Sequence, residues 1–179
     1  MRFLIIEGTV RNDRKSIHAA RQLLDVLEKK GHEAEIFDMK EKEIPLLKTR
    51  RYTDPGEPPE DIEQFGQRVE EADGLVLVSP EYNHTFPGAL KNLLDYLYPE
   101  YDDKPFSFVT VSGGGFGGVR VQKDLENLAL TLGGHPGPSL PVSHVSDIFD
   151  PDGDLVDEDY QERFEDFADR IVEHVERFQ

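Results

Sequence analysis

The feature that most constrains the fold of this 179-residue chain is the alternation of short apolar runs with longer amphipathic segments. Three apolar runs have the length and composition of buried strands, at 2–7, 74–79 and 105–111, and residues 33–37 predict a further strand. A fifth short strand is expected within 139–145. Amphipathic segments with helical spacing follow at 16–30, about 59–71, 88–98, around 121–132 and 158–178. This alternation predicts an α/β fold with a parallel sheet covered by helices on both faces.

The length predicts one domain over residues 1–179, which is enough to bury roughly two thirds of its surface on folding. The sequence shows no internal repeat and no boundary between domains. Between the second strand and the second helix, residues 40–60 are charged and predict a long loop, rich in Pro45, Pro55, Gly56, Pro58 and Pro59. Loops of that length inside a compact domain are usually functional or mobile.

The chain is strongly acidic. It has 20 basic and 37 acidic side chains, so its formal net charge is 20 − 37 = −17. Nucleic-acid binding is disfavoured because contacts with phosphates need a basic surface. No apolar stretch approaches the roughly 18 residues that a membrane span requires, and the start MRFLIIEG lacks the longer apolar run of a secretion signal. We therefore expect a cytoplasmic protein that binds neither nucleic acid nor membrane.

The spread of acidic residues along the whole chain has two interpretations. One is adaptation to a cytoplasm of high salt, where screening makes like charges tolerable. The other is an ordinary acidic protein. Unfolding measured in low and in molar salt separates them: adaptation predicts marked stabilisation by salt, and its absence would rule adaptation out.

Metal and thiol chemistry find little support in the sequence. There are no cysteines, which excludes a disulfide, a thiolate nucleophile or a cysteine metal site. The six histidines are scattered and form no ligand pair at helical spacing. Five aspartates between 147 and 157 resemble calcium ligands, but Gly153 is at position four from Asp150, whereas an EF-hand requires glycine at position six. We expect no metal site.

Three loops follow strands of the predicted sheet, and ligands bind at this edge of an open parallel sheet, beside the switch in strand order. The loop at 8–16 runs directly into a helix and carries three cations within five residues, in a chain of charge −17. Exposed N–H groups at a helix N-terminus, hydroxyls and guanidinium groups bind anions. We interpret Thr9, Arg11, Arg14 and Ser16 as a site for a phosphate. The alternative is that Ser16 only caps the helix and the arginines are solvated.

The loops at 80–87 and 112–118 complete this edge. Two prolines, Pro80 and Pro87, restrict a polar and aromatic segment that is suited to presenting backbone N–H groups to a planar heterocycle. The glycine-rich third loop contains a formal Gly-x-Gly-x-x-Gly pattern, but it follows the fourth strand and no acidic residue lies about 20 positions later to bind a ribose. The pattern therefore favours close approach of a ligand to the backbone or, alternatively, a flexible turn.

The second of these loops carries a family resemblance. The run Pro80-Glu81-Tyr82-Asn83-His84, followed by Pro87-Gly88-Ala89-Leu90-Lys91-Asn92 and Asp95, resembles the signature of NADPH-dependent FMN reductases. These are flavodoxin-like flavoproteins that include quinone, chromate and azo-dye reductases. The pattern Gly8-Thr9-x-Arg11-x-x-Arg14-x-Ser16 is similar to the phosphate loop of that family, and Ser112-Gly113-Gly114 to its second ring-contact loop.

The resemblance implies a flavodoxin-like three-layer sandwich with a five-stranded parallel sheet of order 2-1-3-4-5 and FMN at its switch point. It implies that NADPH or NADH reduces FMN, which then passes electrons to a small-molecule acceptor such as a quinone or free flavin. Members commonly form homodimers or homotetramers. The cofactor-binding residues implied are Thr9, Arg11, Arg14 and Ser16 for the phosphate, and Pro80, Glu81, Tyr82, Asn83, His84, Ser112, Gly113 and Gly114 for the ring.

The sequence leaves three assignments open: the catalytic side chains, the contact with the nicotinamide cofactor, and the choice between two functions. No side chain is assigned a catalytic role, because the flavin carries the redox chemistry. Arg50, Arg51 and Arg120 are candidates for the phosphate of the nicotinamide cofactor, or else solvated surface residues. The competing function is a flavodoxin, an electron carrier without NAD(P)H turnover. The acidic charge suits a flavodoxin, whereas a phosphate loop with arginine and lysine does not.

Overall fold

The computed structural model describes residues 1–53 and 58–179. Its five strands are β1 (Arg2–Glu7), β2 (Glu33–Asp38), β3 (Gly74–Pro80), β4 (Pro105–Val111) and β5 (His135–Val142). All neighbouring pairs are parallel, in the order β2-β1-β3-β4-β5. The helices are α1 (Ser16–Lys29), α2 (Glu60–Glu71), α3 (Gly88–Leu94), α4 (Val119–Thr131), α5 (Val145–Ile148) and α6 (Glu158–Glu176). The predicted fold and strand order are confirmed.

The two faces of the sheet are buried by different helices. Alternate residues of β1 show this division, because Phe3 and Ile5 belong to one apolar cluster and Leu4 and Ile6 to the other. The first cluster includes residues of α1, α5 and α6, and the second includes residues of α2, α3 and α4. A strand buried on both faces needs apolar residues at every position. This is why the central strands β1, β3 and β4 are mostly apolar, and why the fold is a three-layer sandwich.

The third helix is shorter than the sequence pattern predicts. It ends at Leu94 instead of Tyr98, and the next N–H groups bond three residues back, from Tyr96 to Leu93 and from Leu97 to Leu94. This tightening turns the chain so that both Tyr96 and Leu97 are still buried. The apolar spacing therefore predicted the burial correctly and the helix length wrongly.

The fifth strand is longer than expected and begins earlier, at His135. Its sequence contains Pro136, Pro138 and Pro141, which argue against a central strand because proline cannot donate to a ladder. The strand lies at the edge of the sheet, next to β4 only. At an edge, proline costs little and blocks pairing with another chain, so the prolines indicate the position of the strand.

The segment predicted as a long loop is attached to α3 in part. The Asn92 side chain accepts a hydrogen bond from the N–H of Leu47 at 2.9 Å and donates one to the carbonyl of Pro45 at 2.8 Å. The Tyr96 hydroxyl also donates to Pro45, at 3.1 Å. A short 3₁₀ turn, Met39–Glu41, precedes this segment. Pro55 and Gly56, which belonged to the loop prediction, lie outside the described residues.

The fold brings two candidate loops together at the switch point. Strands β1 and β3 are neighbours, and the N–H of Gly8 donates to the carbonyl of Val78 at 2.8 Å. A Cβ atom at Gly8 would lie 2.8 Å from the Leu90 side chain, so only glycine fits between β3 and α3 here. Among residues 1–53 and 58–179, no helix has both the length and the hydropathy needed to cross a bilayer.

Arg51 forms a stabilising ion-pair network away from this edge. Its side chain, 15% exposed, donates to Glu63 at 2.9 Å and to Glu70 and Glu100 at 2.6 Å. Hydrogen bonds donated to Glu63 are the main cause of the raised pKa of Arg51. Four of the five guanidinium N–H groups donate to carboxylates of the protein, so we assign Arg51 a structural role and not the binding of a cofactor phosphate.

We predict that Arg51→Gln lowers the free energy of unfolding by about 2–4 kcal/mol, because it leaves three carboxylates close together without their cation. Arg50→Gln is the matched control, since the exposed Arg50 lies over the Tyr52 and Tyr98 rings and its replacement should cost much less stability than Arg51→Gln. Urea unfolding of both variants measures the difference. Equal losses would contradict the structural role of Arg51.

Candidate functional site

A pocket of about 350 Å³ lies at the carboxyl edge of the sheet, between the loops that follow β1, β3 and β4. The first turn of α5 closes it on a fourth side. Its walls combine cationic, hydroxyl, aromatic and glycine groups: Thr9, Arg11, Asp13, Arg14, Lys15, Ser16, Pro80, Glu81, Tyr82, Val111, Ser112, Gly113, Val145 and Ser146. The three loops selected from the sequence therefore meet in one place.

The N-terminus of α1 opens into this pocket without a side-chain cap. Lys15 occupies the capping position, and no side chain within 1–53 or 58–179 accepts a hydrogen bond from the first N–H groups of the helix. Ser16 is the first helical residue, and its hydroxyl donates to Glu7 instead of capping the backbone. The free N–H groups and the helix dipole make this end of α1 a site for an anion.

Thr9, Tyr82 and Arg11 link the first loop to the second. The hydroxyls of buried Thr9 and Tyr82 are 2.6 Å apart, and the Arg11 guanidinium lies 5.8 Å from the centre of the Tyr82 ring. Arg11 is 58% exposed and pairs with Asp13 at 3.1 Å. Hydrogen bonding to Asp13 raises the pKa of Arg11, so this cation is fixed near the pocket entrance.

Arg14 has a different environment from Arg11. Its side chain is 7% exposed and donates through Nη2 to Asp38 at the end of β2. Its Nε lies 3.9 Å from Glu7 Oε1. Two guanidinium nitrogens, Nε and Nη1, are buried without a hydrogen-bond partner among the described residues. Arg14 therefore contributes positive charge to the wall of the pocket while Asp38 holds it in place.

Glu7 is the most unusual group at the site. Its carboxyl is completely buried, Oε1 accepts a hydrogen bond from Ser16 at 2.6 Å, and Oε2 has no partner among the described residues. Burial raises the pKa of Glu7 to about 8, against the opposing effects of the Ser16 hydroxyl and the Arg14 charge. Desolvation dominates because one hydrogen bond and a cation at 3.9 Å do not replace the lost water.

The second loop reverses sharply at Asn83 and His84. Both residues have positive φ, 51° and 71°, in a tight turn closed by hydrogen bonds between Tyr82 and Thr85 at 2.8 and 3.1 Å. Left-handed backbone in residues other than glycine carries strain, and such residues cluster at functional sites. The Glu81 carboxylate lies 3.3 Å from His84 Nδ1 and 3.8 Å from Arg120, so it faces away from the anion site.

The third loop leaves space open at the pocket. A Cβ atom at Gly113 or Gly114 would meet no protein atom within 4 Å, so the protein's own packing does not require glycine there. The loop is attached to α5 by hydrogen bonds from Val145 to Ser112 at 3.2 Å and from His144 to Gly114 at 3.1 Å. Glycine at Gly113 thus keeps room in the pocket for a group that is not part of the chain.

The residues predicted from the sequence fall into two groups. Those that line the pocket are Thr9, Arg11, Arg14, Ser16, Pro80, Glu81, Tyr82, Ser112 and Gly113. Asn83, His84 and Gly114 are the next residues of the same loops but do not line it. Sequence reasoning missed Glu7, Asp38 and the α5 residues Val145 and Ser146. The signal available for Glu7 was a charged residue at the end of an apolar strand. The α5 residues gave no such signal, because the prolines of the preceding strand, β5, suggest a loop.

Two other features do not form comparable sites. Asp150 Oδ1 accepts N–H bonds from Asp152, Gly153 and Asp154 at 2.8–2.9 Å, so this carboxylate closes a loop. A larger groove of about 520 Å³ runs along β5 and α6, and its lining includes none of the three loops. The loop residues selected from the sequence as a ligand site therefore come together in the pocket at the switch point.

Comparison with known proteins identifies the family. The chain matches the family described as NADPH-dependent FMN reductase over residues 1–147. It is 32% identical to an NADPH azoreductase of a Bacillus species over 157 residues, covering 87% of this chain and 82% of that protein. It is 31% identical to an NADPH:quinone oxidoreductase of Arabidopsis thaliana over 172 residues, covering 91% and 86%.

The fold is also found among solved structures. A flavoenzyme NAD(P)H:(acceptor) oxidoreductase from Paracoccus denitrificans superimposes with a TM-score of 0.81 at 23% identity, over 99% of this chain and 98% of that one. This likeness confirms the flavodoxin-like arrangement that the strand order defines. The family match and the two relatives show that the chain belongs to the NADPH-dependent FMN reductase family and is an FMN-dependent NAD(P)H oxidoreductase.

Proposed function

We propose that the pocket at the switch point binds FMN, with the phosphate at the N-terminus of α1 and the ring between the second and third loops. The observation that carries this proposal is the uncapped end of α1, beside Arg11 and Lys15, in a pocket whose opposite wall is kept open at Gly113. An anionic tail and a flat body match these two halves of the pocket.

Particular residues hold each part of the cofactor in this proposal. Thr9, Arg11, Ser16 and the backbone of α1 bind the phosphate, with Arg14 supplying charge from the buried side. Backbone groups of the second and third loops bind the edges of the ring: Pro80, Glu81, Tyr82, Asn83, His84, Ser112, Gly113 and Gly114. The N–H groups of Asn83 and His84 make no hydrogen bond to other described residues, so these two donors are free for a ligand.

When bound, FMN supplies hydride and electron transfer between NAD(P)H and an acceptor, and the chain supplies its position. Pro80 and the turn at Asn83 restrict the second loop, and the bond between Thr9 and Tyr82 connects it to the phosphate loop. No side chain needs to act as an acid or base for this role. The protein therefore contributes orientation and fixed backbone donors, which cost little to reorganise.

The acceptor proposed is a small molecule such as a quinone or free flavin, with NADPH or NADH as the donor. The two relatives are named for azo-dye and quinone reduction, which supports a small acceptor. Arg120 remains a candidate contact for the phosphate of the donor. It is 54% exposed beside the second loop, with its guanidinium 5.7 Å from the centre of the exposed Phe116 ring.

The proposal also covers the domain extent, the oligomeric state and the cellular location of the enzyme. Residues 1–179 act as one domain in it, because α6 lies beyond the family match and yet packs Phe164 and Phe167 in the same core as α1. A homodimer or homotetramer in the cytoplasm, without nucleic-acid or membrane partners, completes the proposal. The family resemblance and the net charge of −17 support this part.

The phosphate assignment predicts that Arg11→Ala raises the Kd for FMN about ten- to a hundredfold, because it removes a charge-assisted contact. Arg21→Ala is the matched control, because it removes the same charge from an exposed position farther along α1. Flavin fluorescence on dilution measures both. An unchanged Kd in Arg11→Ala would contradict the phosphate site.

The enzymatic assignment predicts that the purified protein is yellow and oxidises NADPH over many turnovers when a quinone is present. A flavodoxin would bind FMN equally well but would not consume NADPH. Absorbance of NADPH, followed with and without the quinone, distinguishes the two functions. Bound FMN without turnover over a panel of quinones, azo dyes, metal oxyanions and free FMN would favour the electron carrier.

A further inference from the structure

The proposed phosphate site includes a buried carboxyl that FMN binding alone does not explain. Glu7 ends β1 directly below the N-terminus of α1, and its only hydrogen bond among the described residues is the one from Ser16, at 2.6 Å. A carboxylate at this point would repel a phosphate. A buried carboxyl beside an anion site must therefore have a role other than direct contact with the phosphate.

The Ser16 hydroxyl has a single proton to donate. An ionised Glu7 can only accept a hydrogen bond. The Ser16 hydroxyl then donates its one hydrogen bond to Glu7 and has none to offer an anion in the pocket. A protonated Glu7 can donate to Ser16 Oγ instead, which frees the Ser16 proton to point at a phosphate. The 2.6 Å contact suits either direction, so the proton on Glu7 decides what Ser16 can bind.

The charges around Glu7 also change with that proton. The charged groups that face it are Arg14, from the loop before α1, and Asp38, from β2, while the neighbouring residue on β3 is the apolar Val78. With Glu7 neutral, Arg14 and Asp38 balance each other. With Glu7 ionised, the cluster has a net charge of −1 at the base of an anion site.

We propose that Glu7 is a positioning residue that acts through Ser16, and that it takes up a proton from solvent when the phosphate of FMN binds. The inference rests on the proposed function, because it requires the phosphate at the end of α1. Glu7 contacts Ser16 and not the cofactor. The protonated cluster offers the phosphate one more donor and one fewer negative charge than the ionised cluster.

The test is the pH dependence of FMN binding between pH 7 and 9, a range in which the phosphate monoester, with a second pKa of about 6, remains a dianion. Burial raises the pKa of Glu7 to about 8, so the Kd of the wild-type protein should rise about tenfold over this range. Glu7→Gln keeps the shape and the donor but cannot ionise. Its Kd should change by less than about twofold over the same range.

The measurement is the fluorescence of flavin released when the FMN-loaded protein is diluted at each pH. Parallel profiles for the wild type and Glu7→Gln would overturn the role of Glu7 while leaving the proposed function in place. Absence of flavin binding at both pH values would overturn the proposed function, and the role of Glu7 with it. The two failures are therefore distinguishable.

Two further measurements protect the test against a folding defect. Proton uptake by the wild type, read with a pH indicator at pH 8.5, should be about three quarters of a proton per FMN bound. No uptake would overturn the proposal even if Glu7→Gln did not fold. Ser16→Ala should bind FMN more weakly at pH 7 and lose most of the pH dependence. An equally steep profile in this variant would show that Glu7 does not act through Ser16.

Discussion

Burial of the central strands on both faces is the constraint on which the rest of the structure depends. Strands β1, β3 and β4 lie between two layers of helices, so nearly all of their residues are buried and most are apolar. Polar chemistry is then confined to the carboxyl edge, where the chain leaves the sheet and loops are free to vary. The pocket lies at the switch between β1 and β3 because two loops diverge there, one toward each face of the sheet.

This constraint explains which features were predictable from the sequence. Continuous apolar runs locate buried strands, and loops of unusual composition after them locate the pocket, because both follow from local physics. Contacts between residues far apart in the chain cannot be predicted from local sequence patterns. Asp38 holds Arg14 across 24 positions in the chain, and Arg51 binds Glu100 across 49, so no local pattern marked either pair. The start and length of β5 were likewise not predicted, since its prolines suggest a loop until the neighbouring strand is known.

The charge of the phosphate loop is the clearest case in which composition misled. Three cations predict a strongly positive site, yet Arg11 pairs with Asp13 and Arg14 with Asp38. With Lys15 counted and Glu7 neutral, the local charge is 3 − 2 = +1. In the complex we propose, the phosphate is held mainly by directed donors, the N–H groups of α1 and the hydroxyls, and Arg11 exchanges Asp13 for the phosphate.

This small local charge of +1 explains why the proton on Glu7 has a large effect at this site. Ionising Glu7 reduces the local charge from +1 to zero and removes a hydroxyl donor in the same step, whereas a surface carboxylate would be screened by water and salt. In a protein of net charge −17, attraction over long distances does not favour an anionic cofactor. Affinity must then come from contacts within a few ångströms, and a buried group next to the helix N-terminus has more influence on it than the many acidic residues on the surface.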